Sequence, residues 1–344
     1  MSDMTETGTN EAGGRKISQW NLILIGLLIL QSLVIGWTYY WESDGGTVEV
    51  GPLFGELTTD DVDSLTIAGI DDDEALQLTR VDDGWAVASR DDFPANGEKI
   101  DGVVEKLLAM DSNRLVTKTS ASHKRLQVAE DTFASRVMVT ADGDEQTLYV
   151  GSAPSAGATH IRLAGENETY LTGEIASWEL GTQLSSWIDT SYLDVEQDNV
   201  TSFTLQNENG DFAFIREGDG WTLRGLLEGT IKASEVNSLL GRAANLRMAE
   251  PLGKTAQDAY GMDAPLATVV LNLDDGEGNA EEVILTVGSK NAEGDNYVMK
   301  ASTSDYYVNV SGFTGDGFVE KLQDDFLEEV EEVEEAVPSE GEGN

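Results

Sequence analysis

His160 and Arg162 stand two residues apart in the run His160-Ile161-Arg162-Leu163. On a strand they share a face, where an imidazole and a guanidinium could together hold an anionic group. The plainer expectation is an ion pair with one of many nearby carboxylates. His123 lies in Ser122-His123-Lys124-Arg125, the densest basic spot beyond residue 41. That spot suits an acidic neighbour, such as the chain's own acidic end, or a solvated loop. Two distant histidines and no cysteine do not make a zinc site. Asp71-Asp72-Asp73-Glu74 and Asp274-Asp275-Gly276-Glu277 are carboxylate clusters in turns, without the alternating ligands of a calcium loop. No Gly-x-Ser-x-Gly elbow and no glycine-rich phosphate loop occurs. Gly218-Asp219-Gly220 lies between strands, where a helix N-terminus is missing. Trp85 and Trp221 offer stacking platforms for sugars, but their matched places within strands point to core packing. The expectation is a non-enzymatic protein without cofactor, metal or catalytic residues.

Charge narrows the partners. The chain has 64 acidic against 21 basic residues, a formal net charge of −43 over 344 residues. Phosphate backbones require clustered Lys and Arg, so nucleic acid is excluded as a partner. Anionic membrane surfaces are disfavoured for the same reason. The acid is spread along the chain and coexists with periodic apolar segments, which suggests adaptation to a saline environment. At about 1 M salt the Debye length is roughly 3 Å and self-repulsion is largely screened.

The elements that must position these residues come in duplicate. Residues 62–173 and 200–312 repeat one order of strands, turns, helix and glycine at an offset of about 137. Asp82-Asp83-Gly84-Trp85 returns as Gly218-Asp219-Gly220-Trp221, and Val150-Gly151-Ser152 returns as Val287-Gly288-Ser289. Period-two alternation marks strands at Ser64–Ile67, Leu76–Arg80, Arg136–Val139, Thr147–Val150 and His160–Leu163, with counterparts in the second copy. Ile100, Val103, Val104, Leu107 and Leu108 fall at helical spacing, as do Val236, Leu239, Leu240 and Ala243. A further helix is expected around Glu174–Leu184. The fold class expected is α+β: an N-terminal transmembrane helix, then two duplicated units, each a mostly antiparallel sheet with one main packing helix.

The transmembrane expectation rests on Asn21–Trp37, with no charged residue from Ile17 to Trp41. Arg15 and Lys16 precede the run, and Trp20, Trp37 and Trp41 mark its ends as an aromatic belt would. The next basic residue is Arg80, so the positive-inside rule places the N-terminus in the cytoplasm and the bulk outside the inner membrane. The exit Gly-Trp-Thr-Tyr-Tyr-Trp offers no signal-peptidase site, favouring an uncleaved anchor in contact with lipid. The organisation expected is a cytoplasmic segment 1–19, anchor 20–41, linker 42–56, repeat units 57–194 and 195–326, and an acidic tail 327–344.

The anchor, the paired Gly-Trp and Val-Gly-Ser strands and Tyr260-Gly261-Met262-Asp263-Ala264-Pro265 together resemble the bacterial family called domain of unknown function 4340, over residues 52–312. Copy one departs from the tyrosine-glycine-hydrophobic-x-x-proline step, reading Leu126-Gln127-Val128-Ala129-Glu130-Asp131. The resemblance implies an auxiliary component beside ABC-type transporters of the gliding-motility kind, partnered by transporter subunits. It brings no catalytic residues. The expected function is a membrane-anchored extracytoplasmic accessory or binding subunit, with the groove between the copies as its ligand site. The alternatives are an envelope hydrolase of polysaccharide and a structural envelope protein.

Overall fold

The computed structural model describes residues 19–42, 50–72, 74–82, 84–274, 276, 280–291 and 294–328. Two compact units result, Met1–Val50 and Gly51–Asn344.

Within the first unit, α1 spans Gln19–Glu42. Among the described residues, however, no helix is long and apolar enough to cross a membrane. A hydrocarbon core demands roughly 20 predominantly apolar residues, and Gln31 and Ser32 interrupt the run in α1. The transmembrane helix, and the inner-membrane placement that rested on it, are corrected accordingly. Trp37 is exposed. The side chains of Trp20 and Trp41, and residues Arg15 and Lys16, lie outside the described residues.

The second unit holds two large sheets. The first half runs β1 (Val62–Ala68), β2 (Leu76–Val81), β3 (Gly84–Val87), β4 (Phe93–Pro94), α2 (Gly97–Leu108) and β5 (Leu115–Thr117). It continues with α3 (His123–Leu126), the small ladder β6 (Val128–Ala129) and β7 (Thr132–Phe133), then β8 (Ser135–Ala141), β9 (Asp144–Val150), β10 (Thr159–Leu163) and β11 (Thr169–Thr172). After β12 (Ser191–Asp194) the second half runs β13 (Val200–Asn207), β14 (Gly210–Glu217), β15 (Gly220–Leu223), α4 (Ala233–Ala244), β16 (Asn245–Arg247) and β17 (Glu250–Gly253). It closes with β18 (Ala267–Asp274), β19 (Ala280–Lys290), β20 (Asn296–Ala301), β21 (Tyr307–Ser311) and α5 (Gly312–Val319).

The strand orders superpose. The first sheet is β4-β3-β2-β1-β8-β9-β10-β11-β5 and the second β15-β14-β13-β18-β19-β20-β21-β17. The second lacks only a counterpart of β4. The bulge where the first sheet ends recurs in the second: Leu115 and Thr117 pair with Tyr170 and Thr169 as Pro251 and Gly253 pair with Val308 and Tyr307. The β12–β16 ladder ties the connecting segment to the second half.

The α+β class is corrected to a mostly antiparallel β fold with short helices. Each apolar stripe does form a helix, but α2 and α4 have only 12 residues apiece. They bury Ile100, Val103, Val104 and Leu107, and Val236, Leu239, Leu240, Ala243 and Ala244. Each larger side chain so buried contributes about 1.5–3 kcal/mol before entropy. The helix expected around Glu174–Leu184 is a 3₁₀ turn, Ser177–Leu180. Gly173 and Gly181 bracket it, and Glu179 Oε1 takes the Ala176 N–H at 3.0 Å, closing the turn on itself.

One staple holds the corner of each half. Arg80 on β2 donates from Nε to Val62 O (3.1 Å) and from Nη2 to Thr59 O (3.0 Å), and lies 4.6 Å over the Trp85 ring. Trp85 Nε1 donates to Asp101 Oδ1 on α2 at 2.8 Å. In the second half Arg216 donates to Val200 O and Gln197 O, both at 2.7 Å, and lies 4.4 Å over Trp221. Trp221 Nε1 donates to Asn237 Oδ1 on α4 at 2.9 Å. Both indoles are buried, at 3% and 7% exposure, which settles them as core.

The Val-Gly-Ser strands are explained by a crossing chain. A Cβ on Gly151 would lie 2.3 Å from Leu126 O, and one on Gly288 would lie 2.0 Å from Tyr260 O. The segment before β6, or before β18, passes directly over that glycine. At the crossing Gln127 has φ 58 and Gly261 has φ 68. The glycine missing from copy one is thus replaced without a change of backbone shape.

Substituting Trp85→Ala or Trp221→Ala is expected to cost about 3–5 kcal/mol in a denaturant melt. Gln127→Gly should raise stability by about 0.5–1 kcal/mol by relieving the left-handed strain. Gly261→Ala should lower it by more than about 2 kcal/mol, since its Cβ would also lie 2.1 Å from Ser289 Oγ. Equal, small effects of the last two changes would refute the crossing-chain account.

Candidate functional site

The structure brings His160 and Arg162 together against the crossing segment and occupies both with backbone. His160 is 7% exposed; its Nδ1 donates to Ser152 O at 2.7 Å. Arg162 is 3% exposed and donates from Nε to Val128 O (2.6 Å) and from Nη1 to Leu163 O (3.2 Å) and Glu166 O (3.0 Å). Its guanidinium lies 4.7 Å over Tyr149. Burial depresses its pKa. The ion pair with a carboxylate expected from the sequence is absent among the described residues. The second half repeats the arrangement with Lys300, which donates to Ser304 O, four residues on, as Arg162 does to Glu166 O. Lys300 sits 5.4 Å over Tyr307, and burial depresses its pKa too. A cation recurring at one position of a duplicated unit, each time clamping a hairpin carbonyl, is a structural part.

His123 is also interior, at 8% exposure, with Nε2 donating to Asn167 O at 2.9 Å. His123, Lys124 and Arg162 line a cleft of about 510 Å³, but Glu130, Asp131 and Glu166 line it as well. Lys124 pairs with Asp131 at 2.6 Å. Burial, then the neighbouring Glu168, raise the Glu166 pKa. The cleft therefore presents both signs of charge. Asp72 Oδ2 takes the Gly69 N–H (2.6 Å) and Asp274 Oδ1 takes the Gly276 N–H (2.9 Å), so these carboxylates close turns. Asp73, Asp275 and Glu277, and the tail 329–344, lie outside the described residues. Among the described residues no three His, Cys, Asp or Glu side chains converge to hold a metal.

The expected groove between the copies is filled. The 3₁₀ turn Ala88–Arg90 and β4 of the first half meet β17 and Tyr306 of the second. Asp91 Oδ2 accepts from Lys254 N at 2.6 Å. Tyr306 Oη donates to Asp92 O (2.9 Å), its ring stands edge-on to Phe93 at 4.8 Å, and Lys254 Nζ caps it at 4.8 Å. Arg90 and Glu250 approach to 3.8 Å. Asp91 and Asp92 hold φ 53 and 57, the strained backbone that the tight joint requires.

A cleft instead flanks α2. It has a volume of about 620 Å³ and is lined by Asn96, Lys99, Val103, Lys106, Trp178, Glu179 and Trp187, among others. Trp187 is fully buried, with Nε1 donating to Gly181 O at 2.7 Å. Lys99 Nζ stands 4.5 Å over its ring and donates to Ser186 O at 2.6 Å. Lys106 pairs with Glu179. Burial raises the Glu179 pKa, but the hydrogen bonds from Lys106 and Ala176 N–H outweigh it and hold the group low. Above the cleft Trp178 is 80% exposed, and its far side borders a second hollow of about 300 Å³ that includes Gly69, Ser135 and Thr182. The second half again has a parallel: Arg242, the counterpart of Lys106, donates to Phe313 O (2.8 Å) and lies 4.8 Å from the ring of Phe313, which is 79% exposed.

Sequence reasoning passed over Trp178. Trp178 falls in the segment expected to be a helix, and the structure makes that segment a 3₁₀ turn with the indole outward. Arg162→Ala should unfold the protein more easily by about 2–4 kcal/mol, because the buried carbonyl of Val128 and the part-buried carbonyls of Leu163 and Glu166 lose their donor. Arg162→Lys should recover part of that loss. A melt unchanged by Arg162→Ala would make the residue a ligand candidate again.

The family described as Domain of unknown function (DUF4340) matches residues 85–265, from the first staple tryptophan to the proline before β18, narrower than the 52–312 expected. No curated protein and no solved structure matches the chain. The match spans just over half of the chain and crosses both sheets, and the chain belongs to the Domain of unknown function (DUF4340) family.

Proposed function

We propose that the chain is a non-catalytic binding subunit, accessory to an ABC-type transport complex, and that it engages its partner through the α2 cleft and the Trp178 edge. The observation that carries this reading is Trp178 itself. An indole 80% exposed, held on a short turn between two hollows, is costly in water and useful in a contact. Tryptophan is among the residues most enriched at the energetic centre of interfaces, especially beside a pocket. Lys99 and Lys106, already engaged with Ser186 O and Glu179, keep the cleft walls in one arrangement before binding. Such preorganisation lowers the entropy lost on association. The transport connection comes from what the likeness to the family implies.

The test is affinity isolation of the tagged full chain from its native cells, in gentle detergent at native salt. The expected result is recovery of a permease and an ATPase subunit. Trp178→Ala should weaken that recovery by roughly thirty-fold, corresponding to about 2 kcal/mol, with the melting temperature unchanged. Isolation that yields no transport subunit would overturn the proposal, and an unaffected Trp178→Ala would overturn the assignment of the surface.

A further inference from the structure

Duplication has left this molecule with two unlike ends, and the joint in its middle shows how such ends fit. In that joint the turn after β3 presses on the outer edge of β17. The matching turn of the second half follows β15, and the matching edge of the first half is β5. Both are open.

The correspondence is residue by residue. β3 and β15, and α2 and α4, are each 136 positions apart (Gly84 and Gly220; Gly97 and Ala233), so the intervening loops have equal length. Leu227 and Glu228 therefore stand where Asp91 and Asp92 stand. Thr117 and Lys118 stand where Gly253 and Lys254 stand, a register fixed by the shared bulge. In the joint a Cβ on Gly253 would lie 2.6 Å from Asp91 Oδ2, so that turn and that edge are in direct contact.

Exposure follows the same logic. Pro251 and Gly253 on the covered edge are buried. Leu115 and Val116 on the open edge are each 38% exposed. Leu227 on the open turn is 95% exposed, although a leucine there gains nothing from water. Charge also matches. Asp324, Asp325 and Glu328 are exposed beside the open turn, since Lys232 N donates to Phe326 O (2.8 Å) and Glu328 N to Thr230 O (2.9 Å). At the open edge the exposed cations Arg114 and Lys118 flank β5, in a chain that is acidic nearly everywhere else.

We infer that copies of this chain associate head to tail, with the Arg224–Gly229 turn of one copy seated on the β5 edge of the next. The contact repeats the internal joint between molecules. It is heterologous, because the two surfaces are different patches. Leucine against Leu115 and Val116 replaces the aspartate and tyrosine contacts of the joint, and the acidic rim meets the basic edge. Net charge of −43 on each copy opposes the approach at long range, so the contact strengthens as salt screens the chains. This inference concerns a different surface from the Trp178 edge and stands independently of the transport reading.

The absence of cysteine allows a clean test in the full chain. Leu227→Cys and Thr117→Cys are made separately and together, each checked for an unchanged melt. In about 1 M KCl under mild oxidation, a mixture of the two single variants should form a disulfide dimer at least ten-fold faster than either alone. The double variant should form a ladder of higher species. Leu227→Asp, used in sedimentation of the otherwise unaltered chain, should abolish concentration-dependent association, while its mixture with Val116→Asp should restore a one-to-one dimer. Crosslinking in the mixture no faster than in the single variants, or association indifferent to both aspartates, would overturn the inference. Association carried by α1 would survive both aspartates and count on that side.

Discussion

An arginine laid on an indole at the corner of each sheet is the contact on which the rest of this structure depends. It does three things at once. The guanidinium satisfies one carbonyl of the strand that enters the half and one of the 3₁₀ turn before it, Val62 and Thr59 or Val200 and Gln197. Its plane covers one face of the tryptophan, and the indole N–H reaches the helix at Asp101 or Asn237. Entry, hairpin and helix are thereby fixed relative to one another, and a 12-residue helix too short to persist alone is held on its sheet. The second copy replaces the helix carboxylate by an amide. In the first copy Asp101 also pairs with Arg80 at 3.1 Å; in the second a neutral acceptor serves the indole while Arg216 has its carbonyls.

The same preference governs the other cations. Positive side chains are scarce here and carboxylates abundant, so ion pairing at the surface would be the obvious use of each. Exposed pairs, however, are worth little, the more so when salt screens them. Arg162, Arg216 and Lys300 instead direct their donors to backbone carbonyls and their faces to rings, and Arg80 does the same while also pairing with Asp101 at 3.1 Å. Those contacts are sheltered from solvent, and a buried carbonyl left without a donor costs about 1–3 kcal/mol. In this acidic chain these four cations thus serve as structural parts of the fold.

Much of this was legible in the sequence because the architecture is written twice. Ser64–Ile67 and Arg136–Val139 alternate with period two and lie within β1 and β8. Ile100 to Leu107 and Val236 to Ala243 carry the helical period and form α2 and α4. What a one-dimensional pattern does not carry is contact across the chain. Arg162 has a ligand's chemistry until Val128 O is seen beside it. Gln127 looks like the loss of a motif until its left-handed backbone shows the motif's shape retained. The edges are equally silent, since β4, β5 and β17 have two to four residues and no period to read.

The cleft beside α2 follows from the duplication rather than from any motif. After β21 the chain folds back as α5, whose Gly315 admits the Tyr297 ring where any Cβ would lie 2.0 Å from it. After β11 the same length of chain must instead travel to β12 and start the second half. It cannot coil into the corner, so it passes as the short turns Ser177–Leu180 and Leu184–Ser186, pinned by Glu179 and Trp187. What α5 fills in one half is therefore open in the other. A covalent connection between two copies of one fold creates a hollow that neither copy alone would contain, and the indole of Trp178 stands at its mouth.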